Sequence, residues 1–382
     1  MEDILKYQST IRQVGHNLVK NYQDKNEILT GINGPYDDEE YRVRNLCHLI
    51  IVTAIEILKY GKKEYLDALA EMFKELLSMR LPSGFFDLRH KAKKDSCNGV
   101  IGHAWVLEGL LYVYKVYKYE DILRICLEIA QAHEFSEELG LWYIPLPDKD
   151  NRQIDYTFNH QLWYAASIAE LLELTEEKNL RNQLDMFMGK VTKNMCLTLH
   201  GKIGHNIIQR GDLKSKVKQR IKRELDACNQ LLDRPSYAYK EQGYHIFNLL
   251  AFARIYHCRK DYKFFSSPKF EKALAYVNTR HFKQGLLNAD FGKDLSLCNP
   301  QITEEEKKIN IYGFPYNVPG FELLYVDLCF GDKISDEAVK WCLENQFERT
   351  YDKINHKFGI CCHDKNTVNY RIYEFYRYLE LI

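Results

Sequence analysis

The feature that most constrains this chain is an alternation of two kinds of helical stretch. Between Lys63 and Arg80 the apolar residues Leu66, Leu69, Phe73, Leu76 and Leu77 recur at helical spacing on an otherwise charged stretch, which predicts an amphipathic helix with one buried stripe. From Val100 to Tyr117 the chain is apolar nearly all round (Ile101, Ala104, Trp105, Leu107, Leu110, Leu111), which predicts a helix enclosed on most sides. Outer, amphipathic stretches of the first kind recur at Glu120 to Glu134, Glu177 to Leu197, Lys269 to Asn278 and Asp336 to Gln346. Inner stretches of the second kind follow near Asn159 to Leu174, Tyr244 to His257, Val318 to Phe330 and Thr367 to Leu381. With opening helices near Ile4 to Leu29 and Val43 to Tyr60, this makes six helical hairpins.

Between each later outer helix and its inner partner lies a short glycine-plus-apolar segment, anchored at Gly84, Gly140, Gly201, Gly285 and Gly359. Their separations of 56, 61, 84 and 74 residues give a loose period, as expected of helix-pair repeats carrying insertions of different size. Such repeats build either an open stack or a closed ring. Closure is expected here, because the last inner helix finds a partner only by packing on the first. The fold class predicted is all-α, an (α/α)6 toroid over residues 1–382, with an insertion or lid at about 209–243 whose stretch Arg210 to Arg223 carries seven basic residues.

Composition narrows the partners. Lys plus Arg equals Asp plus Glu at 53 each, which removes the global electrostatic drive toward nucleic acid or an anionic membrane. The first residues lack the basic and long apolar regions of a secretory signal, and no run of apolar residues is long enough to span a bilayer, so the expectation is a soluble, cytoplasmic chain. The eleven cysteines are scattered, several within apolar helical stretches (Cys47, Cys126, Cys342), and read as reduced core thiols. Twenty-seven tyrosines beside 19 phenylalanines suit half-wet cavity walls as well as core, since a tyrosine presents an apolar body and a polar tip.

In a ring of hairpins the outer-to-inner connectors and the N-termini of the inner helices emerge at one end, where free backbone N–H groups and the helix dipole favour oxygen-rich ligands. The unusual polar residues of apolar neighbourhoods cluster there. Asp87 and Asp155 are candidate acid and base for work on a glycosidic bond, and His160 and His245 candidate proton carriers at a sugar carbon. Arg42, Arg44, Asn98, His103, Tyr156, Trp163, His205, Tyr244, Tyr316, Asn317 and Arg371 are candidate substrate contacts, with the arginines suited to a uronic acid. No cofactor is called for.

The hairpin rhythm with glycine–aromatic connectors resembles the six-hairpin glycosidase group, the (α/α)6 toroids that include unsaturated glucuronyl hydrolases, N-acylglucosamine 2-epimerases and several polysaccharide lyases. The resemblance rests on architecture and covers most of the chain. It implies a sugar or oligosaccharide in the central funnel, with glycoside hydrolysis or elimination as the first reading, sugar epimerisation on a histidine pair as the second, and glycan binding without catalysis as the third. Phe314 to Gly320 followed by Gly359-Ile-Cys-Cys-His363 resembles, in part, the zinc pattern of lanthionine-synthetase cyclases, but Pro315 stands where a cysteine ligand belongs. Cys361, Cys362 and His363 alone fall short of a zinc ligand set, so no metal is expected.

Overall fold

The computed structural model describes residues 2–146, 152–207, 238–288 and 308–382, together with Val217, Lys218, Ile221, Lys222, Glu224, Leu225 and Cys228. The lid expected at about 209–243 and its basic run fall mostly outside the described residues. The inner helices are α2 (Val43–Tyr60), α4 (Ile101–Tyr117), α6 (Phe158–Leu171), α9 (His245–Cys258), α12 (Pro319–Phe330) and α15 (Tyr373–Leu381). Their outer partners are α1 (Glu2–Lys25), α3 (Leu66–Ser78), α5 (Glu120–Ala132), α7 (Lys178–Asn194), α10 (Pro268–Tyr276) and α13 (Asp336–Thr350). Shorter helices α8 (Ala238–Gly243), α11 (Arg280–Leu287) and α14 (Lys365–Tyr370) lie within the connections.

The six inner helices pack in chain order, and α15 closes on α2, so the ring is complete and the fold is the (α/α)6 toroid. The hydropathy contrast has its expected cause. Ala68, Leu69, Met72 and Leu76 form the single buried stripe of α3, whereas α4 is buried continuously from Ile101 to Val113. Two helix boundaries, one inner and one outer, differ from the sequence reading. The stretch Thr367 to Leu381 is split at Arg371, whose guanidinium donates to the Tyr316 carbonyl and the Asn317 side chain, and this anchors the chain between α14 and α15. The helix expected to run to Leu29 ends at Lys25, just before Asn26 at φ 51°.

Four of the five glycine connectors are short antiparallel turns. Arg80 pairs with Phe86, Phe135–Ser136 with Leu141–Trp142, Leu197 with Ile203, and Tyr351–Asp352 with Lys357–Phe358. Gly84, Gly140, Gly201 and Gly359 all hold left-handed backbone at φ between 68° and 100°, which is why glycine recurs there. Gly285 breaks the pattern: it lies inside α11, against the side chain of Gln242, and the route from α10 to α12 is longer.

A second regularity was invisible in the sequence. In each of the four turns the amide of the returning apolar residue donates to a side chain of the following helix: Phe86 to His103 (3.0 Å), Trp142 to Gln161 (2.8 Å), Ile203 to His245 (3.2 Å) and Phe358 to Asn369 (2.8 Å). These side chains brace connector to helix and satisfy buried backbone donors that would otherwise cost stability.

Candidate functional site

All six inner helices present their N-terminal ends to one cavity of about 310 Å³, at the low end of the roughly 300–1,000 Å³ typical of ligand pockets. Arg44 enters from α2, Asn98 and Trp105 from the start and first turn of α4, Asp155 and His160 from the start of α6, Tyr244 and Phe247 from α9, Tyr316 and Asn317 from the approach to α12, and Arg371 from the approach to α15. His205, Arg89, Asp95, Lys94 and Lys240 complete the polar wall. The inner-helix N-termini therefore converge in space, while of the glycine connectors only those of Gly140 and Gly201 reach the lining, through Ile144 and His205.

The most defined chemical unit is Asp155 with His160. Asp155 Oδ2 lies 2.8 Å from His160 Nδ1 and accepts from the Val100 amide at 3.0 Å, while Oδ1 accepts from the Thr157 amide at 3.0 Å. Burial pushes this carboxyl upward, yet the imidazole and the two amides outweigh it and hold its pKa below the ordinary value. An ionised carboxylate only accepts, so Nδ1 carries the proton and Nε2 is the nitrogen left to act as a base toward the cavity. Asp95 binds the adjacent turn: Oδ1 accepts from the Gly99 amide at 2.6 Å and Oδ2 from Arg89 at 2.9 Å.

The cavity wall is rich in cations backed by buried acids. Arg44 pairs with Glu40 at 2.9 Å and lies 4.3 Å from the Trp105 ring centroid; burial penalises its charge, but Glu40 offsets this and leaves the pKa above that of an ordinary arginine. Arg89 and Lys94 converge on the fully buried Asp38. Arg371 pairs with Glu322 (2.6 Å) and Glu374 (2.7 Å). Burial drives the Glu322 carboxyl up to about 8. Deeper along the axis, Arg254 and Arg377 interlock with Glu108 and Glu170, and Arg254 lies 4.8 Å from the Trp163 centroid. This ion-pair core fills the barrel below the cavity and gives it a floor.

Nine of the sequence candidates line the cavity: Arg44, Asn98, Asp155, His160, His205, Tyr244, Tyr316, Asn317 and Arg371. Six do not. His245 and His103 are fully buried braces of the connectors, and His103 also meets His133 at 3.1 Å. Burial lowers both of their pKa values to about 3. Trp163 stands behind the wall, stacked on Phe247 at 4.3 Å. Arg42 turns outward to Glu75 (2.7 Å). Asp87 follows the Phe86 brace and is absent from the lining, so it does not pair with Asp155 across one bond. Tyr156 lines a separate groove beside Met195 and Leu197. Sequence reasoning missed Asn33, Tyr36, Lys94 and Lys240. The Gly-Pro pair before Tyr36 marks a turn at the mouth end and was the available signal.

Among the described residues no group of three or more His, Cys, Asp or Glu is arranged to hold a metal ion, and no helix is long and apolar enough to cross a membrane.

No family model matches the chain. It is 27% identical over 356 residues, 90% of either chain, to archaeal glycosylation protein Q of Haloferax volcanii. Its fold is similar to that of cellobiose 2-epimerase from Spirochaeta thermophila (TM-score 0.60, 12% identity, 98% of both chains covered) and from Bacillus thermoamylovorans (0.55, 10%, 94% of this chain and 98% of the other). The GH76 α-mannanase of Bacteroides thetaiotaomicron shares it as well (0.52, 12%, 90% and 87%). These are six-hairpin toroids, and the fold of this chain is of that group.

Proposed function

We propose that this chain is a sugar epimerase or isomerase that moves a proton at a carbon next to a carbonyl or carboxylate of a single sugar unit, free or at the end of an oligosaccharide. The observation that carries the reading is the Asp155–His160 pair opening on the cavity, with His205 in the same lining. His160 Nε2 removes the carbon-bound proton, and Asp155 holds the imidazole in the required tautomer and stabilises the imidazolium. The charge that develops on the neighbouring oxygen is met by wall cations, of which Arg44 and Arg371 are fixed in place by buried glutamates. Return of a proton from His205 on another face of the intermediate inverts the carbon. The same cations suit a uronic acid. Support from kinship is coarser: cellobiose 2-epimerases share the fold, and the relative in Haloferax volcanii is named for glycosylation.

Glycoside cleavage, the first reading from sequence, has one observation in its favour: Asp95 and Asp155 both line the cavity and accept from the consecutive amides of Gly99 and Val100. Asp155 is held as a carboxylate, however, and is not prepared to serve as the general acid this mechanism requires, while Asp95 is tied to Arg89 and the Gly99 amide. Incubation with candidate aldoses, uronates and their oligosaccharides in deuterated water separates the readings. Proton NMR is expected to show loss of the signal at the carbon next to the carbonyl, with appearance of the epimer or ketose. Chain cleavage without exchange would replace this reading with hydrolysis.

A further inference from the structure

Tyr36 enters the cavity from the stretch preceding α2, on the turn Gly34–Tyr36. Its hydroxyl lies 3.0 Å from that of Tyr244, at the N-terminal end of α9. In the closed ring α2 is flanked by α4 and α15, and α9 by α6 and α12, so the two helices stand on opposite sides of the axis. The hydroxyl pair therefore bridges the mouth from wall to wall.

This strap is latched along its length. Asp364, which caps α14, accepts from the amides of Ile32 (3.1 Å) and Gly34 (2.8 Å). Tyr316 donates to the Asn33 side chain at 2.7 Å, and the Lys91 ammonium donates to the carbonyls of Tyr36 and Asp37 at 3.0 and 2.6 Å. Gly34 sits at φ 53°, and a Cβ there would meet the Tyr316 ring at 2.1 Å, so the backbone crosses that ring in a position open only to glycine. Lys240 and Lys94 lie 4.7 and 5.6 Å from the Tyr36 ring centroid, cations over an aromatic face. The latches come from both sides of the strap: Asp364 and Tyr316 from the approaches to α14 and α12, and Lys91 from the approach to α4. Tyr36 and Tyr244 both line the cavity of about 310 Å³ that holds His160.

We propose that the Tyr36–Tyr244 bridge is the length selector of this site: it admits one ring at the end of a chain and bars the rings of a chain that would have to continue past it. The proposal rests on the sugar-binding reading above and specifies which sugars fit. The discrimination is steric, achieved by a wall set against the longer ligand. Saturation-transfer NMR, which reports the rings that touch the protein and needs no turnover, tests it with free hexuronate and a hexuronic acid trisaccharide. The wild-type protein is expected to saturate the monosaccharide and a terminal ring of the trisaccharide. Tyr36→Ala is expected to raise the internal-to-terminal signal ratio at least about threefold as the wall is removed. Tyr36→Phe, which keeps the ring and loses the bridge, is expected to fall between the two and covers the case in which the alanine variant fails to fold. Saturation of all three rings in the wild-type protein, or an unchanged map in both variants, would overturn the selector and leave the sugar reading standing. Saturation of neither ligand in any of the three proteins would remove both.

Discussion

Replacing Asp155 by asparagine tests the proposed chemistry where the structure is most explicit. The carboxylate accepts three hydrogen bonds, from His160, Val100 and Thr157, and is 4% exposed. An amide oxygen can keep the His160 and Val100 bonds in place of Oδ2, but the amide nitrogen then faces the Thr157 N–H, donor against donor. One unsatisfied buried donor costs about 1–3 kcal/mol. In chains of 150–250 residues each kcal/mol lowers Tm by about 2–4 °C, and less in this longer one, so a drop of a few degrees is expected and the protein should remain folded. The catalytic loss is of another order. Without a full negative charge behind Nδ1 the imidazole is a weaker base and its protonated form is no longer stabilised, and general acid–base catalysis of this kind contributes about 10²–10⁴ in rate. Because Asp155 acts through His160, to which it is bonded, the loss should fall on kcat with KM little changed. Deuterium exchange into the sugar, followed by NMR alongside a thermal melt, reads both effects. A folded Asp155→Asn protein exchanging within threefold of the wild-type rate would refute the argument that this pair moves the proton.

Three further outcomes are expected. His205→Gln should retain exchange of the substrate proton at His160 while interconversion of epimers falls about 10²–10⁴-fold, and equal loss of both would remove His205 from a two-sided mechanism. Burial lowers the pKa of His103 and His245 to about 3, and of His48 and His133 well below 6.5, so these rings are neutral in the fold but protonate in the unfolded chain. Their contribution is present above about pH 6.5 and drains as pH falls from there toward about 3; between about pH 7 and about pH 5.5 the four together should cost about 5 kcal/mol, and a urea midpoint flat over that range would contradict it. Arg254→Met leaves Glu108 and Glu170 facing Arg377 alone in the barrel floor and should destabilise by about 3–5 kcal/mol in urea titration.

The number of hairpins, their order and their inner or outer placement were legible in the sequence, because burial on one side or on all sides writes different hydropathy patterns. The left-handed turns at Gly84, Gly140, Gly201 and Gly359 were legible for a related reason: a positive φ next to apolar packing selects glycine almost regardless of what surrounds it. The rim was legible only as a region. His103, His160, His205 and His245 all follow connectors or open inner helices, yet His160 and His205 face the cavity while His103 and His245 turn back to hold the amides of Phe86 and Ile203. Nothing local separates them, since a histidine satisfies a backbone donor as readily as it carries a proton. The same holds for Asp87 and Asp155. Tyr36 depends on tertiary structure more fully still, for its meaning lies in a hydroxyl 208 residues away on the far side of the ring. Period and composition act along the chain and can be read there, whereas the direction a side chain takes at a helix end is settled by what the closed ring brings opposite it.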